Sequence, residues 1–315
     1  MYNYCTLFDS NYLTRGLAMY ESLKTYSRDF HLYIFAFDAR ADALLKKLKL
    51  ANVTVISLEA FEDDALLSIK STRSAGEYCW TCTPSTIKYC IEQYDLDHCT
   101  YLDADLYFFA DPSILVDEMQ DASVLITEHR YTPMYDQSAT SGIYCVQFVT
   151  FKNDARGIKA LSWWRDACNA WCYARFEEGK FGDQKYLDDW TNRFEGVHVL
   201  QHLGGGVAPW NIQRYNISDE SFDVIFYHFH GLKFLENNKI DLGPYRLRRK
   251  EIEKLYMPYV QHLEAIVNRL HKGNDTYDYH GTIKEIKDWK TPLRYFRRMA
   301  KRSYNIFNQK ELLGK

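Results

Sequence analysis

Two acidic residues, Asp103 and Asp105, stand one residue apart inside the stretch 101–112, YLDADLYFFADP. A pair of carboxylates at this spacing can grip one hard divalent cation. Oxygen ligands suit Mg²⁺ or Mn²⁺, which keep open positions for substrate phosphates. The apolar run 99–102 ahead of them reads as the end of a buried strand. On extended backbone, residues two apart point to the same side. Open α/β sheets bind their ligands at the carboxyl ends of strands. The plainer alternative is two solvated acids on a turn.

Four further groups of residues have types and spacings that could do chemistry. Asp9, Asn11 and Tyr12 follow the first apolar run and could hold a base or ribose, with Tyr12 stacking; Ser10 or Asn11 would equally serve as a helix N-cap. Asp183 and Gln184 follow Gly182, either as a helix opening capped by Asp183 or as a polar pair facing a hydroxylated acceptor. Residues 202–211, HLGGGVAPWN, carry three consecutive glycines, which mark a close backbone approach to a ligand or another segment. In that stretch Trp210 and Asn211 could form the floor and hydrogen-bonding edge of a sugar site, or simply pin a tight loop. Last, His228 and His230 alternate at the end of an apolar run, with Lys233 just beyond. A histidine there can complete an Asp-Asp-His metal site, and the lysine can neutralise a diphosphate.

The elements that must position these groups follow from periodicity. Strands are expected at residues 2–8, 31–38, 53–57, 99–102, 123–127, 141–148 and 222–229. Helices are expected from residue 13, over 41–50, from Thr83-Pro84 to about 94, and over 157–176; residues 71–77 read as loop. Strand and helix alternate, so the fold class is α/β with a mostly parallel central sheet flanked by helices. No G-x-G-x-x-G follows the first strand and no Walker motif is present, which argues against dinucleotide cofactors and P-loop chemistry.

The chain has 315 residues, 46% of them hydrophobic and 16% aromatic, enough for a substantial core. Its net charge of −3 hides a division: residues 245–315 carry 17 Lys and Arg against 8 Asp and Glu, and the rest 22 against 34. The expected organisation is a catalytic domain at 1–244 and a helical, basic C-terminal extension at 245–315. Within that extension, residues 289–307 mix aromatics with Arg and Lys, the pattern of a segment lying on an anionic membrane surface. A plain solvated helix is the alternative, and no nucleic acid partner is expected. Met1 leads almost directly into the first strand pattern, and no apolar run approaches spanning length. The expected location is therefore cytoplasmic, peripheral on the inner face of the membrane. The eight cysteines are expected as reduced thiols. Cys79-x-x-Cys82 lacks a second pair at zinc spacing.

In this order, the motifs resemble a nucleotide-sugar glycosyltransferase of the GT-A type, similar to glycosyltransferase family eight and related bacterial surface-polysaccharide enzymes. The resemblance covers about residues 2–234. It implies that Thr6, Asp9, Asn11 and Tyr12 hold the nucleoside and that Asp103, Ala104 and Asp105 bind metal and diphosphate. It further implies that Asp183 and Gln184 contact donor sugar or acceptor, that Trp210 and Asn211 line the sugar site, and that His228, ahead of Gly231, completes the metal site. Two departures stand out. Lys233 lies five residues after His228 where the family has six. The expected Asn-x-Gly strand element reads Tyr144-Cys145-Val146-Gln147.

The implied reaction is metal-dependent transfer of a hexose, with retention, from a nucleoside diphosphate sugar (UDP favoured) to a glycan or lipid-linked acceptor. If Asp183 is instead a base activating the acceptor, inversion follows. The rivals are a nucleotidyltransferase or sugar-nucleotide hydrolase, and a non-catalytic polysaccharide-binding module.

Overall fold

Side-chain alternation along the first strand, β1 (Tyr2–Phe8), sends Tyr4 and Phe8 into one apolar cluster and Cys5 and Leu7 into another in the computed structural model. A strand apolar on both faces has to be covered on both. β2 (Phe30–Ala36) divides the same way, Leu32 and Ile34 against Tyr33 and Phe35. β3 (Val53–Ser57) and β4 (His98–Leu102) pair in parallel with β2 and β1 respectively. The helices Leu13–Tyr26 and Met257–Leu270 cover the first cluster. Ala75–Tyr94 and Ala155–Ala170 cover the second, with Trp164 fully buried as core.

The structure describes residues 1–219, 222–272, 275–285 and 288–314. Beyond β4 lie β5 (Leu106–Phe108), β6 (Val124–Glu128), β7 (Tyr144–Lys152) and β8 (Val197–Val199). Among the described residues the central sheet has seven strands, ordered β3-β2-β1-β4-β7-β6-β8. Only β7 runs against the others, antiparallel to both β4 and β6. The sheet is mixed and mostly parallel, as the alternation of elements implies. The chain winds from β1 outward to β3, then returns to place β4 on the other side of β1. Strand order therefore reverses between β1 and β4, and the crevice outside their carboxyl ends is where such sheets take ligands. Asp9 follows one of these ends and Asp103 the other.

Two local expectations are corrected. The helix expected from Thr83-Pro84 begins at Ala75, and residues 75–77 are helical rather than loop. Ser74 and Glu77 form a reciprocal capping box there, worth about 1 kcal/mol for the cap alone. Pro84 lies inside this helix, and the neighbouring Thr81 and Thr83 hydroxyls donate to the carbonyls of Glu77 and Cys79. Interior proline removes an N–H and normally ends a helix. Here ten buried residues between Tyr78 and Ile91 outweigh that local cost. Asp183 caps no helix either. It follows Gly182 at φ +53° and precedes a short 3-10 helix, Lys185–Asp189, which has no side-chain cap.

The C-terminal region contains more than helices. β9 (Phe226–His228) pairs with β5. β10 (Lys233–Leu235), β11 (Lys239–Asp241) and β12 (Ile306–Asn308) form an antiparallel sheet. Phe307, expected in a helical segment, is thus a strand residue; the Thr291–Ala300 helix ends before Arg302, whose φ of +53° turns the chain. Arg298 ties that helix back to the protein through two 2.7 Å hydrogen bonds to the Asp241 carboxylate. Among the described residues no helix is long and apolar enough to cross a membrane.

Candidate active site

The loop after β1 is built by short polar side chains that bind their own backbone. Asp9 accepts from the N–H groups of Asn11 and Tyr12 and from the Asn11 amide. Asp38, after β2, accepts from the backbone and hydroxyl of Ser10 and caps Ala41. Tyr277 donates to Asn11 at 3.0 Å, so the C-terminal region closes over this loop. Tyr12 is 39% exposed, with Asp105 and Asp103 within electrostatic reach of its hydroxyl. Thr6 is fully buried on β1, and its hydroxyl has no hydrogen-bond partner among the described residues.

Asp103, Ala104 and Asp105 occupy a turn and not an extended strand. β4 ends at Leu102, and the Asp103 carbonyl accepts from Leu106 N–H at 3.2 Å. The two carboxylates converge because the chain reverses there, not because strand side chains alternate. The turn delivers the chain into β5, whose pairing with β9 sets Leu106 opposite His228. His228 Nε2 then lies 3.1 Å from Asp105 Oδ1 and 3.7 Å from Asp103 Oδ2. One ligand atom from each of Asp103, Asp105 and His228 falls within 4.8 Å of the others. His230 is exposed; its ring stands 5.5 Å from that of His228, and it does not join this group.

Burial opposes charge on all three members of the group, and their mutual fields decide the outcome. It works against the His228 imidazolium, but Asp105 and then Asp103 hold its proton on well above the ordinary histidine range. Asp105 is drawn below the carboxylate range, against its own desolvation, by His228, His230 and Arg15. Asp103 is raised by desolvation and by Asp105, with His228 opposing. Two carboxylates and an imidazole make a suitable donor set for Mn²⁺ or Mg²⁺. The cation would replace the proton now shared among them.

Asp183 is buried, and burial followed by the charge of Asp103 pushes its carboxyl up to about 8. Backbone N–H groups and the Thr83 hydroxyl offset this only in part. Trp164 Nε1 donates to the Asp183 carbonyl at 2.9 Å, which fixes the turn. The Gln184 amide donates to Ser141 O at 2.7 Å and is committed to the neighbouring loop.

Trp210 is buried edge-on beneath both histidines, ring centroids 5.3 Å from His228 and 5.4 Å from His230, and donates to His129 O. Asn211 is fully buried. Its amide donates to His129 O and Gly206 O and accepts from Ala208 N–H, so its hydrogen bonds serve the glycine loop. The loop's close approach is to protein: a Cβ on Gly204 would stand 2.0 Å from Asp223 O, and one on Gly206 2.7 Å from Thr127 Cγ2. Lys233 opens β10 and is exposed.

Two residues of this site were not singled out as ligands by spacing. Gln147 lies on β7 beside Asp103, and its Oε1 accepts from His228 Nδ1 at 2.6 Å. Arg15 is buried and donates to the carbonyls of His280 and Leu232. Its guanidinium lies 4.4 Å from the Tyr12 ring and helps to lower Asp105. Each carried a signal: one amide within a continuously buried strand, and one charge within an otherwise apolar helix face. The zinc-like pair Cys79 and Cys82 belongs to no metal-capable group among the described residues. The thiols that do converge are Cys5, Cys90 and Cys99, inside the second core.

No family model matches the chain. It is 31% identical over 285 residues to the uncharacterized protein YfnD of Bacillus subtilis (strain 168), covering 85% of this chain and 91% of that protein. Among solved structures it resembles the apo bifunctional glycosyltransferase WbbM, with TM-score 0.52 and 13% identity over 88% of this chain and 50% of that one. It also resembles an active-site mutant of LgtC, with TM-score 0.51 and 11% identity over 84% and 95% of the respective chains. At these identities the likeness is one of fold, and the fold is GT-A.

Proposed function

The chain belongs to the family of the Bacillus subtilis protein YfnD, and from its GT-A fold and the grouping of Asp103, Asp105 and His228 we propose that it transfers a sugar from a nucleoside diphosphate sugar to a hydroxyl group. The observation that carries this reading is the convergence of Asp103, Asp105 and His228 at the point where strand order reverses. A divalent cation held there would supply Lewis-acid stabilisation of the departing diphosphate.

The chain's own residues have distinct tasks around that point. Asp9, Asn11 and Tyr12 receive the nucleoside beside Thr6. Lys233 and Arg15 add positive charge on the diphosphate side. Asp183 is largely protonated at neutral pH while Asp103 is charged, so in that state it donates a hydrogen bond to sugar and is neither base nor nucleophile. A cation on Asp103 would remove the second cause of the raised value and leave burial, the larger one, in place. Gln184 holds the neighbouring loop through Ser141, and Trp210 with Asn211 keeps the floor rigid beneath His228.

UDP is the favoured nucleotide, a hexose the favoured sugar, and Mn²⁺ or Mg²⁺ the cation. Transfer to a glycan or lipid-linked acceptor in surface-polysaccharide synthesis, with retention, completes the reading. Residues 1–244 carry the chemistry, and 245–315 close over the nucleoside loop through Tyr277 and meet the membrane through the Thr291–Ala300 helix. Calorimetric titration with UDP, GDP and CDP, with and without Mn²⁺, tests it. Manganese-dependent binding of one nucleotide is expected. No binding of any of them by folded protein overturns the proposal.

A further inference from the structure

Gln147 makes two contacts that no other residue in the site combines. Its backbone carbonyl accepts from Asp103 N–H at 3.1 Å, one rung beyond the Leu102–Phe148 pair of β4 and β7. Its side-chain Oε1 accepts from His228 Nδ1 at 2.6 Å. One residue thus fixes the start of the Asp103–Asp105 turn and the ring of the histidine that faces it. Gln147 is fully buried and His228 is 5% exposed, so neither contact competes with water.

The other end of the amide is costly. Gln147 Nε2 is buried without a hydrogen-bond partner among the described residues. It faces the glycine loop, where a Cβ on Gly206 would stand 3.4 Å away. A buried donor left without a partner destabilises the fold. A leucine or methionine would fill a similar volume with no orphan. Stability alone therefore favours an apolar residue, and what glutamine adds is the carbonyl toward His228.

We infer that Gln147 is the positioning residue of the cation site, an inference that rests on the metal-binding reading above. A carbonyl oxygen only accepts, so it keeps the proton on Nδ1 and leaves Nε2 as the nitrogen presented to Asp103, Asp105 and the cation. Outer partners of this kind fix the ring and tautomer of a ligating histidine, and their loss typically lowers metal affinity about 10–100-fold. Gln147 touches neither substrate nor cation, so its effect reaches the reaction through His228.

The test uses the full chain and Mn²⁺ alone, with binding read from the loss of the free-ion electron paramagnetic resonance signal. Gln147→Leu should bind Mn²⁺ at least about tenfold more weakly than wild type. Gln147→Glu, which keeps an acceptor at the same place, should retain most of the affinity that Gln147→Leu loses. Wild-type affinity in folded Q147L, or equal losses in both variants, overturns the assignment while leaving the cation site standing. A wild-type protein that binds no Mn²⁺ removes both. A second measurement needs no variant: in ¹⁵N-histidine-labelled wild type with Mg²⁺, His228 Nδ1 should carry the proton. An unprotonated Nδ1 there contradicts the inference.

Discussion

His228 Nε2 lies 3.1 Å from Asp105 Oδ1 because β5 and β9 pair antiparallel with Leu106 opposite His228. The Phe229 N–H donates to the Asp105 carbonyl at 3.0 Å and extends that ladder to the turn itself. The metal-capable group is therefore held by backbone hydrogen bonds on both sides, and its members should be replaceable without unfolding the protein.

Asp105→Asn and His228→Ala should each lower turnover by at least about 100-fold, the scale of losing a main electrostatic element. Mn²⁺ binding should be lost alongside, with the far-ultraviolet dichroism unchanged. Turnover near wild type in a folded variant would falsify the site as drawn.

Asp183 predicts a pH dependence. Its folded value, pushed up to about 8, lies above the roughly 3.9 of an unfolded aspartate, so the folded state binds the proton more tightly. Stability linked to this group is present at low pH and is lost as pH rises from about 4 toward 8. Asp183→Asn removes the titration. In EDTA-treated protein, the melting temperature of wild type relative to D183N should fall between pH 5 and pH 8. A difference that stays flat across that range shows an ordinary carboxylate.

Glycine positions separate packing from flexibility. Gly206→Ala meets both a φ of +85° and Thr127 Cγ2 at 2.7 Å, and should destabilise by roughly 2–4 kcal/mol. Gly76→Ala meets nothing within 4 Å in a helix and should be neutral or stabilising by up to about 1 kcal/mol. Urea midpoints for the two variants check this, and a similar midpoint for both refutes it.

The Thr291–Ala300 helix leaves Leu293 and Phe296 each 65% exposed, next to Trp289 at 83%, with Arg297 and Lys301 alongside. Replacing Leu293 and Phe296 by Asp should weaken binding to vesicles containing phosphatidylserine by about tenfold or more, since each apolar side chain contributes about 1.5–3 kcal/mol when buried. Sedimentation with anionic and neutral vesicles measures it. Equal binding by wild type and variant argues for a helix that simply faces water.

Sequence by itself determined the layer plan and pointed to the carboxylate pair as a candidate site. The two-sided apolar strands force helices onto both faces, and the first polar residues after β1 and β4 fall at the carboxyl ends by simple counting. It left His228 and His230 as rival ligands on one side of the strand, and only the resemblance favoured His228. What tertiary structure decided is how distant segments meet. Asp103 and Asp105 converge through a turn whose shape depends on β5 finding β9, and that pairing is invisible to local periodicity. The helix at Ala75–Tyr94 runs through Pro84 because a buried face outweighs a local penalty, which no proline rule can anticipate. Gln147 reads in sequence as a missing motif; only the register of β7 against β4 sets its backbone beside Asp103, and only the β5–β9 pairing brings the His228 ring to its side chain. Asp183 reads as a helix cap, and its burial beside Asp103 makes it a raised carboxyl. Local rules describe each segment's own preferences, whereas burial and field depend on what the other segments bring next to it.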